Sequence, residues 1–188
     1  MNTVLELFRK TGALLHGHFI LRSGLHSREF FQCALLLQDS RVAAQVCGLL
    51  AEKLSVFPAT TVVSPAVGGI IVGQEVARHL GKKHIFVEKD GTGGLVLRRG
   101  FQVEPGETFV VAEDVVTRGG RVQETIQIIK DLGGIVLGAG SIVDRSGGEL
   151  PDFGCPFVSL VQMTPETFAP DEIPEDLRNI PAIKPGSK

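Results

Sequence analysis

A chain of 188 residues with 43% hydrophobic and 21% charged side chains carries enough apolar material for one sizeable core and reads as a single folded domain. Its formal charge of −2, from 19 basic and 21 acidic residues, excludes a generally basic nucleic-acid binder or a polybasic membrane-surface protein, so any cationic site must be local. Cys33, Cys47 and Cys155 are odd in number, far apart and without a C-x-x-C pair, which predicts buried reduced thiols rather than a disulfide framework.

Residues 3–15 place Val4, Leu7, Phe8, Leu14 and Leu15 on one helical face and predict a first helix. Glu6, Arg9 and Lys10 interrupt its apolar pattern, so it lacks the continuous core of a signal peptide. The longest apolar run, TTVVSPAVGGIIVG, is broken by Pro65 and glycines and is too short for a membrane span. A cytoplasmic protein with neither membrane nor nucleic acid as partner is the expectation. Asp39 or Ser40 caps a second helix that carries Val42, Val46, Leu49, Leu50 and Leu54 at helical spacing. TTVVSP then reads as a strand, and GGIIVGQEVARHLG as a helix stopped by Gly81. KHIFV is a strand, and GGLVLRRG is a further one at an edge or in a hairpin. TFVVAEDVV is a strand, followed by the helix GGRVQETIQIIKDLGG with Val122, Ile126 and Ile129 inward. IVLGAGSIVD and FVSLV are the last strands, and the Pro-rich, acidic tail from Thr164 reads as irregular.

Strands that alternate with helices, and are hydrophobic on both faces, predict an α/β fold: a parallel sheet flanked by helices. Such sheets bind ligands beyond the carboxyl ends of their strands. There the sequence reads SPAVGG, VEKDGTGG, EDVVTRGG and DRSGG.

The adjacent carboxylates Glu113 and Asp114 are the unusual feature, because unpaired charge at the end of a buried strand is costly without solvent, a metal or a ligand. A vicinal diol is a good partner for a carboxylate. The next residues, Val115, Val116, Thr117, Arg118, Gly119 and Gly120, run into a helix N-terminus, whose N–H groups and dipole favour a phosphate. Diol acceptors beside a phosphate cradle describe a ribose 5-phosphate site. A turn capped by the acidic side chains would account for the same residues.

VVAEDVVTRGG resembles the phosphoribosyl diphosphate (PRPP) motif of type I phosphoribosyltransferases, and GHFILRSGLHSREFFQCALLLQD resembles the N-terminal segment of the orotate phosphoribosyltransferases. The resemblance spans about residues 10–161, with both motifs in the family's order. It implies one phosphoribosyltransferase domain over 1–188, with a core at about 39–162 and a small hood from about 1–38 plus the C-terminal tail. It implies transfer of the 5-phosphoribosyl group from PRPP to orotate, with Mg²⁺ held mainly by PRPP, in a homodimer. By resemblance, Glu113 and Asp114 hold the ribose hydroxyls, and Val115, Val116, Thr117, Arg118, Gly119 and Gly120 form the 5′-phosphate cradle. Ala66, Gly68 and Gly69 form the diphosphate loop, where many relatives carry a lysine and this chain has Val67, Gly68 and Gly69. Arg22, Phe30, Phe31, Thr117 and Arg145 are the implied orotate contacts, although core packing would equally account for one of the phenylalanines and an ion pair for Arg145.

The family's mobile basic loop is short here. Lys89, Arg98 and Arg99 remain as its cations and join Asp114 as the implied catalytic set, while Glu88 stands where an arginine is common. A solvated basic edge would account for the arginines as well. His16 and His18 form a His-x-His pair with no further ligand at a recognised zinc spacing. Two rivals remain from sequence: a phosphoribosyltransferase for another nucleobase, and a catalytically silent PRPP- or nucleotide-binding regulator.

Overall fold

Local stop signals and β-branched runs divide the chain into short elements, which the computed structural model describes for residues 3–21 and 23–185. They form two units: Asp39–Met163, and a second built from the residues before and after it. The smaller unit opens with α1 (Thr3–Lys10), β1 (Leu14–Ile20), β2 (His26–Phe31) and α2 (Cys33–Leu37). Here the sequence expectation of one helix over 3–15 is corrected. Gly12 takes a left-handed φ of 68°, its N–H donates to the Arg9 carbonyl at 3.2 Å, and the Ala13 N–H donates to the Phe8 carbonyl at 2.8 Å. This doubly bonded glycine stop ends the helix, so Leu14 and Leu15 open a strand. Strands β1 and β2 pair antiparallel, with Leu14 opposite Phe31, Ile20 opposite His26 and an irregularity between His16 and Phe19.

The larger unit runs α3 (Ser40–Leu54), β3 (Thr61–Pro65), α4 (Gly68–Leu80), β4 (Lys83–Lys89), β5 (Leu95–Leu97), β6 (Thr108–Val116), α5 (Gly120–Asp131), β7 (Ile135–Asp144) and β8 (Phe157–Gln162). Asp39 caps α3 by accepting from the Arg41 N–H at 2.9 Å, and Gly81 ends α4 at a φ of 64°. The sheet order is β5-β4-β3-β6-β7-β8, parallel throughout except for the antiparallel β4–β5 pair at one edge. Helix α5 covers one face, where Val122, Ile126 and Ile129 meet Val63, Ile85, Phe109 and Val111. Helices α3 and α4 cover the other face. Any side chain at Gly140 would press on Leu50 and Leu54 of α3, at 3.1 and 3.2 Å.

The tail returns to the smaller unit as β9 (Thr167–Phe168), which pairs with β2, and the single turn α6 (Glu175–Arg178), so it is more regular than its composition suggests. Arg28 ties these pieces together. It pairs with Glu166, donates twice to Asp176 at 2.8 Å, and lies 4.7 Å over the Phe168 ring. The buried His18 donates from Nδ1 to the Ile180 carbonyl at 2.9 Å. Its Nε2 is thereby left to accept from Nδ1 of the buried His26 at 2.5 Å.

Candidate active site

Strand order reverses at β3. The chain leaves β3 for β4 on one side and later enters β6 on the other, so a crevice opens beyond the carboxyl ends of β3 and β6. Residues 64–69 leave β3 there, and residues 113–120 leave β6. The topology alone brings the two glycine loops together.

Their contact is close. A Cβ at Gly68 would lie 2.8 Å from the Asp114 carboxyl carbon, and one at Gly69 would lie 3.0 Å from Glu113 Oε1. Only glycine admits the acidic pair at this distance. Glu113 is buried, and its Oε1 accepts from the Asp114 N–H at 3.0 Å. Asp114 is half-buried, and its Oδ1 accepts from the Val115 N–H at 2.8 Å. Burial, then the neighbouring Asp114 carboxylate, push the Glu113 carboxyl well above its ordinary range. The β3 loop contains a cis peptide between Ala66 and Val67, and the Ala66 N–H donates to the Val87 carbonyl at 2.7 Å.

Val115 and Val116 finish β6, and Thr117 and Arg118 follow as exposed side chains. Gly119 takes a left-handed φ of 74°, and a Cβ there would come within 2.9 Å of Phe153 and Pro151, so both backbone and space require glycine. Gly120 starts α5. The Gln123 N–H donates to the Gly119 carbonyl at 2.9 Å, which leaves the earlier N–H groups of the turn directed out of the helix end. Arg145 sits beside this cradle: its own N–H donates to the Val116 carbonyl at 2.8 Å.

The basic residues lie on the β4–β5 hairpin. Lys89 is exposed at the end of β4. Arg98 is exposed and donates to the Asp90 carbonyl at 3.5 Å. Arg99 is engaged elsewhere: at a left-handed φ of 66°, it donates to both Glu88 oxygens at 2.9 and 2.7 Å.

Arg22 lies outside the described residues. Phe30 and Phe31 belong to the smaller unit and point to opposite faces of β2. Phe31 is buried, edge-on to Phe8 at 5.2 Å, whereas Phe30 is half-buried beside Phe19 at 5.9 Å. His16 and His18 diverge, His16 towards Glu29 at 3.5 Å and His18 towards His26.

Two arrangements escaped the sequence reading. Ser64 Oγ and His84 Nε2 share a hydrogen bond of 2.8 Å beneath the β3 loop, where a Cβ at Gly73 would lie 2.7 Å from the Ser64 oxygen. Asp90 and Glu124 hold the hairpin turn. The D-G-T-G-G string advertised the turn, but nothing local links it to a glutamate 34 positions on.

A phosphoribosyl transferase domain model matches residues 36–171. The chain is 44% identical to an orotate phosphoribosyltransferase of Desulforamulus reducens over 98% of this chain and 96% of that protein. It is 48% identical to one of Methylorubrum extorquens over 98% and 95%. The structure is similar to the crystal structure of orotate phosphoribosyltransferase from Aeropyrum pernix, with a TM-score of 0.75 and 26% identity, covering 86% of this chain and 94% of that one.

Proposed function

The chain belongs to the phosphoribosyltransferase family, and from that membership we infer an orotate phosphoribosyltransferase. It transfers the 5-phosphoribosyl group from PRPP to orotate, giving orotidine 5′-monophosphate and diphosphate, in pyrimidine biosynthesis. The observation that carries the site assignment is the pressing of Gly68 and Gly69 against Asp114 and Glu113 at the sheet's switch point. It supports one crevice that receives a diphosphate on the β3 loop and a ribose on the acidic pair.

The residue roles follow from that crevice. Asp114 and Glu113 accept from the ribose hydroxyls. The first turn of α5, with Thr117, Arg118, Gly119 and Gly120, receives the 5′-phosphate through N–H donors and the helix dipole. Ala66, Gly68 and Gly69 line the diphosphate, with Lys89 and Arg98, both exposed on the hairpin, as its cations. Arg145, beside the cradle, offers a planar fork to the orotate carboxylate. Of the aromatic pair, Phe30 is the one we assign to the orotate ring, because Phe31 is packed against Phe8. In the reaction N1 of orotate bonds to C1 of the ribose as the C1–O bond breaks. Diphosphate takes the electron pair, and the N1 proton is released. The side chains act by positioning the two reactants and by stabilising the charge that moves to diphosphate.

The donor set fits Mg²⁺. By family resemblance the ion is held mainly by PRPP oxygens, and the half-buried Asp114 offers a hard oxygen donor beside them at the crevice. When bound, the ion would neutralise diphosphate charge and make it a better leaving group. We further assign a homodimer and a cytoplasmic location by family resemblance. The three cysteines form no disulfide, in keeping with a reducing compartment, and no described helix is long and apolar enough to cross a membrane.

The test is loss of orotate absorbance in the presence of PRPP and Mg²⁺, with uracil and hypoxanthine as parallel substrates. PRPP-dependent consumption of orotate alone is expected. Consumption of another base instead, or PRPP binding without turnover, would overturn the assignment.

A further inference from the structure

The turn of the β4–β5 hairpin is fastened by two carboxylates. Asp90 Oδ1 accepts from the N–H groups of Thr92, Gly93 and Gly94 at 2.7, 3.1 and 3.1 Å, and Asp90 Oδ2 accepts from the Thr92 hydroxyl at 2.8 Å. The next N–H, that of Leu95, donates to Glu124 Oε1. Glu124 stands on α5, one turn after the phosphate cradle, and its other oxygen accepts from Arg121 at 2.9 Å. The junction is tight: a Cβ at Gly94 would lie 3.0 Å from Asp90 Oδ2 and 3.3 Å from Glu124 Oε1.

One side chain therefore joins the helix that presents the 5′-phosphate donors to the arm that carries Lys89 and Arg98. Resting on the functional reading above, we propose that Glu124 is a positioning residue. It fixes the hairpin cations at a set distance from the phosphate cradle, so that both ends of PRPP are met by one preorganised frame. The short hairpin works as a fixed arm. A glutamate is suited to the task because its two oxygens serve two donors at once, where a shorter or uncharged side chain serves one or none.

Wild type, Glu124→Ala and Glu124→Gln are compared in three measurements: PRPP affinity by calorimetry, KM and kcat for each substrate, and hydrogen exchange of the Leu95 amide. In Glu124→Ala the Leu95 amide should exchange faster, and PRPP Kd and KM should rise on the order of tenfold through misplacement of the cations. The orotate KM and the thermal midpoint should change little. Glu124→Gln, whose amide oxygen still accepts from Leu95, should recover most of the PRPP affinity. Faster exchange at Leu95 with unchanged PRPP affinity would overturn the proposal, as would an equal loss in every parameter together with a collapsed midpoint. The wild-type arm judges the parent reading separately: turnover of orotate upholds it whatever Glu124 does. PRPP binding without turnover would overturn that reading while the affinity comparison still decides the role of Glu124.

Discussion

At the scale of single residues, Glu113 and Asp114 share a peptide bond but not an environment. Glu113 is sealed under Gly69 with its carboxyl raised by burial, whereas Asp114 is half-buried. A raised folded value favours the protonated form in the folded state. Its contribution to stability is therefore full below the ordinary 4.5 and is lost as the pH rises through the raised value. Glu113→Gln keeps the shape without the charge. Its melting temperature should match wild type near pH 4 and exceed it increasingly towards pH 8, while PRPP affinity falls. A flat difference across that range would remove the buried charge as a cost. Asp114→Asn should weaken PRPP binding on the order of 10- to 100-fold, the worth of one or two charged hydrogen bonds, with little change in melting. Wild-type affinity there would sink the ribose assignment. Arg145→Ala should raise the orotate KM about tenfold or more and the PRPP KM far less. Equal effects on both would count against its carboxylate role. The acidic pair and the glycines were legible because their chemistry is local, a like-charge pair ahead of a turn. The engagement of Arg99 by Glu88 was not, since the partners lie 11 positions apart and meet only through the hairpin register.

At the scale of elements, the runs TVVSP, FVVAEDVV and IVLGAGSIVD announced central strands because burial on both faces makes them mostly apolar, with their charged residues at the carboxyl ends. The β1–β2 hairpin was hidden for the converse reason. His16, Gly17, His18, Ser27, Arg28 and Glu29 give no alternation, its polar groups being absorbed by pairs such as His18–His26 and His16–Glu29. The Leu14–Leu15 error is of the same kind: helical spacing carried on past a glycine stop that only the backbone reveals. Packing between β3, β4 and α4 has its own pH signature. Burial lowers His84 from 6.5 to about 4, so the neutral ring is favoured in the fold. The stability this confers is present above pH 6.5 and is lost as the pH falls through about 4. The wild-type melting temperature should fall through that window, and His84→Gln, which retains a partner for Ser64, should fall less. An identical slope in the variant would exclude His84 as a contributor.

At the scale of the whole molecule, the order of helices and strands from Ser40 to Gln162 was readable, and with it the crevice, because a parallel sheet covered on both faces reverses its strand order at one place. Sedimentation at micromolar concentration should give a dimer, and a fully active monomer would refute that assignment. The surfaces open to such assembly are narrowed by how the sheet ends. Its β5 edge offers a ladder only three residues long, followed directly by Arg98 and Arg99. Near the opposite edge, the Lys53 ammonium takes the carbonyl of Ser159 at 2.9 Å. Short, cationic margins resist the addition of a foreign strand. Arg98, which we assign to diphosphate, therefore also guards this edge of the six-stranded sheet against fibrillar growth.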